Sequence, residues 1–123
     1  MSQFIKKYDL EQRTAEFGLS ILRFAKQLPT SALFQTILIQ LIHAATSVGA
    51  NYAEANGASS KKDFKNKIHI AKKEIQETKH WPRMLAECHP EQRKALSLFW
   101  KEAQELTLIF GRIIKTNNKY VKN

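Results

Sequence analysis

Turn-forming residues and cysteine are scarce in this chain of 123 residues, which has four glycines, three prolines and one cysteine. An all-β fold of many short strands needs more turn residues than this. The single Cys88 cannot form an intramolecular disulfide, which is typical of proteins in a reducing cytoplasm. No unbroken apolar run approaches the roughly 18 residues that span a bilayer, and no signal-peptide core follows Met1. We therefore expect a cytoplasmic protein with no membrane partner.

Apolar residues recur at spacings of three and four along most of the chain, which predicts amphipathic helices. Helix boundaries are marked by Asp9 as a candidate N-cap, by Pro29, by Gly57 and the following serines, and by the His89-Pro90 pair. The predicted helices cover approximately 9–27, 31–56, 60–87 and 90–117, and a basic tail follows at 118–123. Four helices joined by short turns predict an all-α, up-down-up-down antiparallel four-helix bundle in a single domain, 1–123.

Each predicted helix has an apolar stripe that should face the core. In chain order the stripes are Leu10, Thr14, Phe17, Ile21, Leu22, Ala25 and Leu28; Phe34, Ile37, Leu38, Leu41, Ala45, Val48 and Tyr52; Phe64, Ile68, Ala71, Ile75 and Thr78; and Leu96, Phe99, Ala103, Leu106, Phe110 and Ile113. Pro82 interrupts the third helix and predicts a kink or an early end there.

The second helix is almost uncharged, because Thr30 to Gly57 contains no lysine or arginine and Glu54 is its only acid. Its outer side carries Thr36, Gln40, Ser47, Asn51 and Glu54, which are polar but nearly uncharged. Such a face is typical of a helix that meets another protein surface through hydrogen bonds. We expect this helix to be buried on most of its circumference.

The third helix carries cations along one side. Lys61, Lys65, Lys72, Lys79 and Arg83 fall within a sector of roughly 40° on a helical wheel, because steps of four and eleven residues return to nearly the same azimuth. We call these five residues the basic ridge. The net charge of +9 points to nucleic acid, an anionic membrane surface or an acidic protein as the partner, and the third and fourth helices hold most of the positive excess. A lysine-rich face that only keeps a helix soluble is the alternative.

The stretch from Ser47 to Glu77 resembles the family of four-helix bundles encoded in intervening sequences of bacterial 23S ribosomal RNA genes. The matching positions are Ser47, Asn51, Ala53, Glu54, Asp63, Phe64, Ile70, Ala71 and Glu77, and Asp9, Arg13, Phe17 and Leu28-Pro29 resemble the first helix of that family. Two positions depart from the pattern. Ala55 stands where the family usually has glycine, so that the turn is expected at Gly57, and Lys73-Glu74 replaces Gly-Ser.

The resemblance implies a closed bundle that often forms a ring-shaped homopentamer, with no established enzymatic activity and no cofactor. It also implies relatives among the accessory proteins of diversity-generating retroelements, which are basic and are thought to bind nucleic acid. On this basis we expect Ser47, Asn51, Glu54, Ile70, Glu77 and Trp81 to have structural roles or to lie at an interface between subunits. Arg13 is the candidate ionic partner of Glu54, since both belong to the family pattern.

Sequence motifs for chemistry are absent. The chain has no phosphate-binding loop, dinucleotide fingerprint or H-E-x-x-H motif. Cys88-His89 is best explained as an exposed helix end and His69 as an ordinary surface histidine; neither predicts a metal site. Trp81 and Trp100 could stack on bases, but core or interface positions are the usual role of large aromatics in bundles.

Three hypotheses follow from the sequence. The first is a non-enzymatic homo-oligomer that binds RNA or DNA through phosphate contacts on the third and fourth helices. The second is a scaffold that binds another protein through Ile70 and Trp81 or through the uncharged face of the second helix. The third, a nuclease or other RNA-processing enzyme, has the least support, because no cluster of metal-binding carboxylates is visible.

Overall fold

The protein is described here by a computed structural model that covers residues 2–29 and 31–121, with side chains for 10–29 and 31–117. Four α-helices follow one another: α1 (Ser2–Gln27), α2 (Ala32–Asn56), α3 (Lys61–Cys88) and α4 (Arg93–Val121). A short 3-10 turn, Pro90–Gln92, precedes α4. Helices adjacent in sequence pack against each other, and α1 and α4 make the lightest contact. The predicted all-α antiparallel bundle is therefore confirmed.

The helix boundaries agree with the sequence signals except at the two ends of the chain and at the start of α4. Helix α1 begins at Ser2 rather than at Asp9, because no proline or glycine interrupts 2–9; the side chain of Asp9 lies outside the described residues. Helix α4 continues to Val121, so that most of the expected tail at 118–123 is helical, and 122–123 lie outside the described residues. Pro90 opens the 3-10 turn instead of the α-helix itself.

The turn between α2 and α3 has the predicted chemistry. Gly57 ends α2, and its backbone N–H donates to the carbonyls of Ala53 and Glu54. Ser60 caps α3, because its hydroxyl oxygen accepts a hydrogen bond from the backbone N–H of Asp63 at 3.0 Å. Helix α3 does not end early at Pro82, since it continues six residues further to Cys88.

The core runs along the bundle axis and consists of the predicted stripes with few changes. Its fully buried members include Ile21, Leu41, Ile75 and Phe110. Thr14 and Thr78 are buried as well, and each hydroxyl donates to a backbone carbonyl three residues earlier, at 3.1 and 2.6 Å. Hydroxyls that are satisfied in this way can lie in an apolar core at little cost. Leu22 was predicted to face the core but is 40% exposed.

Two glycines let α1 and α2 approach closely. A Cβ atom at Gly18 would lie 3.4 Å from the carbonyl oxygen of Ala45 and from Cα of Thr46. A Cβ atom at Gly49 would lie 3.4 Å from backbone atoms of Thr14. These distances are ordinary van der Waals contacts, so alanine would also fit, whereas a longer side chain would meet the backbone of the neighbouring helix.

The outer side of α2 is exposed in the single chain, contrary to the expectation that α2 is buried on most of its circumference. Thr36, Gln40 and Glu54 face outward together with Ile39, which is 55% exposed, because only α1 and α3 flank this helix. Helix α2 is also the one described helix that is long and apolar enough to cross a membrane by length and composition. Core helices pass the same test, and seven buried residues of α2 pack in the bundle.

Candidate nucleic-acid interface

The basic ridge lies on the side of α3 that meets α4. Lys61 and Arg83, at its two ends, are exposed, and the three lysines between them are half-buried. A lysine at such a position can lay its methylene chain along the neighbouring helix while its ammonium group reaches water. The ridge is therefore not an isolated outer face of α3, because it follows the junction between α3 and α4.

Lys79 shows how α4 completes this surface. Its Nζ donates a hydrogen bond of 2.6 Å to Oε1 of Gln104 and lies 5.4 Å from the ring centroid of Trp100. Both partners belong to α4. An ammonium group over an indole ring is a favourable cation–π arrangement. Lys79 is thus oriented by α4, a contact that the spacing of the cations along α3 does not predict.

Further cations from α4 extend the positive surface. Arg93 borders the same groove as Arg83 at one end of the helix pair, and Arg112 borders a shallow groove beside Phe64 at the other end. Both arginines are exposed. These residues were not named from the sequence, although the excess of basic residues after His89 was a signal for them. The positive surface therefore belongs to both helices.

The ridge cations form no ion pair with the side chains that the structure describes. Among the side chains of 10–29 and 31–117, no carboxylate lies within ion-pair distance of any of the five. Lys67, by contrast, lies on the opposite flank of α3 and its Nζ is 2.8 Å from Oε1 of Glu54. Unpaired cations on one contiguous surface are available to an external polyanion.

The residues expected at a subunit interface lie on another side of the bundle, along the contact between α2 and α3. We call Ser47, Asn51, Glu54, Ile70, Glu77 and Trp81 the α2–α3 face. The Lys67–Glu54 ion pair joins the two helices here, and Nδ2 of Asn51 donates to the carbonyl of Ser47 at 2.9 Å. Ile70 is 36% exposed.

Two buried polar atoms near this face have no partner in the described chain. They are Nε1 of Trp81 and Oε2 of Glu74. Burial raises the pKa of Glu74, the negative charge of Glu77 raises it further, and His43 and Lys73 oppose both effects. Buried polar groups are normally hydrogen-bonded. A surface with an unsatisfied donor and acceptor is suited to a partner that satisfies them.

Arg13 does not pair with Glu54, and that prediction was wrong. Its guanidinium joins α1 to α4 instead, with hydrogen bonds of 2.6 and 2.8 Å to Glu102 and one of 3.0 Å to Glu105. Hydrogen bonding of the guanidinium to the Glu102 carboxylate, which accepts, raises the pKa of Arg13 above its usual range. Glu54 is exposed and reaches Lys67 because α2 neighbours α3.

The remaining candidates for chemistry have structural surroundings. Cys88 is exposed at the end of α3, and the ring of His89 packs edge-on against Phe34 with centroids 4.8 Å apart. His69 is exposed, and His80 packs against Trp81. No group of three or more potential metal ligands occurs within the part of the chain that the structure describes.

These features define the class of the protein as a basic, all-α antiparallel four-helix bundle. Residues 6–114 match the family model described as 23S rRNA-intervening sequence protein, and the chain belongs to that family. It is also similar to a crystal structure of a protein with unknown function from the S23 ribosomal protein family of Bacteroides thetaiotaomicron. That similarity has a TM-score of 0.76 and 28% sequence identity, over 85% of this chain and 97% of the other. No curated protein matches the chain.

Proposed function

We propose that the protein is a non-enzymatic, cytoplasmic homo-oligomer that binds RNA or DNA through the basic ridge. The observation that supports this proposal is the continuous row of five cations, none of which pairs with a carboxylate among the described side chains, in a chain with a net charge of +9. From 61 to 83 the ridge spans roughly 33 Å at 1.5 Å per residue. This length is comparable to one turn of duplex DNA, about 34 Å.

Contacts from such a ridge would be to phosphates, which position the nucleic acid without reading its sequence. If all five cations engage, the logarithm of the binding constant should fall with the logarithm of salt concentration with a slope of about −4.5 per copy on duplex DNA. Several copies in one assembly would bind one polyanion together and raise the apparent affinity.

A charge-reversal experiment tests the ridge. Changing Lys65, Lys72 and Lys79 together to glutamate should abolish binding to short RNA and DNA duplexes in gel shift or anisotropy. Circular dichroism checks that the helices survive, and the milder triple change to glutamine should weaken binding in the same direction while flattening the salt dependence. Full binding by a folded triple-glutamate variant would refute the assignment of the ridge.

A control with the same change in charge separates the ridge from net charge. Arg23, Lys26 and Lys73 are exposed cations outside the ridge. Their combined change to glutamate should reduce binding only moderately, because it lowers the overall field but leaves the row intact. Equal losses in the two triple variants would mean that charge alone, and not this surface, determines binding.

Self-association is supported by two surfaces on opposite sides of the bundle. One is the α2–α3 face with its unpaired Trp81 and Glu74 atoms. The other is the groove between α1 and α4, about 730 Å³ in volume, which is bordered by the exposed side chains of Leu19 and Leu98. A contact between two different surfaces repeats head to tail and closes into a ring when the rotation allows it. The pentamer itself is implied by family resemblance.

The oligomer is tested by measuring molar mass with light scattering on nuclease-treated protein. Ile70→Asp should reduce the mass toward that of the monomer, because it places a charge on the α2–α3 face. Leu108→Asp changes a similarly exposed residue on α4 and should leave the mass unaltered. If the wild-type protein is a monomer and binds a different protein even after nuclease treatment, the scaffold hypothesis is favoured. The α2–α3 face would then be the surface that binds this partner.

A further inference from the structure

A pocket lies where α3 and the beginning of α4 come together, and the proposed function does not yet use it. Its volume is about 490 Å³. Pro82 and Leu96 are buried at its base, and the half-buried indole of Trp100 forms one wall. Arg83, Arg93 and Glu87 border its opening, and all three are exposed. The pocket therefore combines an apolar base and an aromatic wall with two cations at the rim.

The pocket is continuous with the basic ridge. Arg83 belongs to both, and the next ridge residue, Lys79, lies over the ring of Trp100 at 5.4 Å from its centroid. A chain of phosphates that follows the ridge would therefore arrive at the pocket opening. At that point Lys79, Arg83 and Arg93 could contact the phosphate of a nucleotide whose base lies further in.

The chemistry of the pocket suits an unpaired base. A nucleobase is flat and apolar on its faces, and stacking on an aromatic side chain is one of the main sources of affinity for single strands. The carboxylate of Glu87 would repel a phosphate but can accept a hydrogen bond from an exocyclic amino group of a base. In an intact duplex the faces of the bases are already stacked, so a duplex could use the ridge but not the pocket.

We infer that this pocket binds an unpaired nucleobase of a single strand whose phosphates lie on the basic ridge. This inference rests on the proposed function, because it assumes that the ridge binds nucleic acid. It adds the class of ligand: nucleic acid with unpaired bases should bind more tightly than a fully paired duplex of the same phosphate number. Trp100 becomes a binding residue and not only a packing residue.

Fluorescence of a single tryptophan tests this directly. In the variant Trp81→Phe, Trp100 is the only tryptophan. This protein is titrated with a single-stranded DNA 12-mer, with the same 12-mer in which every base is replaced by an abasic sugar, and with a blunt duplex. The 12-mer should quench Trp100 and bind about tenfold more tightly than the abasic strand, as expected for stacking of one base. The duplex should bind without quenching.

Two variants locate the effect. Trp100→Leu should remove the preference for the strand with bases and leave duplex affinity within a factor of two. Ser97 is exposed at the pocket border, and Ser97→Leu should have the same effect by narrowing the opening, without altering a buried residue. Because Trp81 belongs to the α2–α3 face proposed for self-association, strands are compared with one another only within the Trp81→Phe variant. The preference is then measured again in the wild type and in Trp100→Leu by anisotropy of labelled strands.

The outcomes separate the two proposals. Equal affinity for the strand, the abasic strand and the duplex, with no quenching of Trp100, would overturn the pocket inference while the ridge remains supported. Binding to none of the three would overturn the proposed function, and the pocket inference with it. A preference for the strand that survives both Trp100→Leu and Ser97→Leu would overturn the assignment of this pocket.

Discussion

The ion pair between Arg13 and Glu102, which joins two helices, should stabilise the bundle more than the Arg23–Glu16 pair, which lies within α1. Arg13 makes two hydrogen bonds to Glu102, at 2.6 and 2.8 Å, and the two side chains are only 25% and 30% exposed. It also contacts Glu105, which is 65% exposed. The two glutamates belong to α4 and Arg13 to α1, so the pair joins the two helices whose mutual contact is the lightest among neighbouring helices.

The expected magnitude follows from burial. Removing one member of a fully buried pair costs about 3–5 kcal/mol, and an exposed pair contributes about 0–1 kcal/mol. Because Glu102 can be rehydrated when its partner is lost, we expect Arg13→Met to cost about 1–2 kcal/mol, between these limits. With a slope of about 1–3 kcal/mol per molar urea for a small protein, the midpoint should fall by roughly 0.5–1 M.

The comparison is made by urea unfolding followed by circular dichroism, at low protein concentration. Arg23 provides the control, because it pairs with Glu16 on the same helix at 2.7 Å while both side chains are about 60% exposed (63% and 59%). Arg23→Met should change the free energy of unfolding by less than about 0.5 kcal/mol. If Arg13→Met and Arg23→Met shift the urea midpoint equally, the claim that the Arg13–Glu102 pair stabilises the packing of α1 on α4 is refuted.

Three further predictions concern local features. Ser60→Ala should lower the free energy of unfolding by about 1 kcal/mol through loss of the cap, and Ser59→Ala, which removes no observed cap, should be near neutral in the same urea assay. Gly111→Ala should raise the thermal midpoint, with a gain of about 0.4–1 kcal/mol, because a Cβ there meets no atom within 4 Å; a loss would show that the helix needs glycine. Burial raises the pKa of Glu74 in the folded state. Ionised Glu74 therefore lowers the free energy of unfolding at pH values above the folded pKa, and this destabilisation disappears below the unfolded pKa, where the group is protonated in both states. Glu74→Gln should therefore raise the thermal midpoint at pH 7 and leave it unaltered near pH 3, and an equal gain at both pH values would exclude this origin.

Much of the fold could be predicted because helix formation and termination are local. Ser60 capped α3 as its type predicts, and α2 ended at Gly57, although with a φ of −99° and not in the left-handed conformation that favours glycine. The spacing of apolar residues identified nearly all of the core. The start of α1 was missed because Asp9 resembles a cap, although nothing before it breaks a helix. Leu22 was misplaced because a wheel gives only the relative directions of side chains, and this position lies at the edge of the stripe.

The candidate site was only partly predictable, because it depends on how separate helices are rotated against each other. The ridge residues share one side of α3 by helical geometry alone. The sequence pattern does not indicate which helix that side faces. It therefore did not predict the contacts of Lys79 with Gln104 and Trp100. The true partner of Arg13 was missed for the same reason, since Glu102 is 89 positions away in the chain.

The packing of each helix on its sequence neighbours has a consequence for folding kinetics. Most contacts join helices that are adjacent in sequence and are connected by short turns. Bundles dominated by such local contacts fold in microseconds to milliseconds. The contact of α1 with α4 is the exception, since the Arg13–Glu102 pair joins residues 89 positions apart in a chain of 123. We expect it to form after the rate-limiting step, so that Arg13→Met accelerates unfolding and leaves the refolding rate almost unaltered. The last contact to form would then control how long the closed bundle persists.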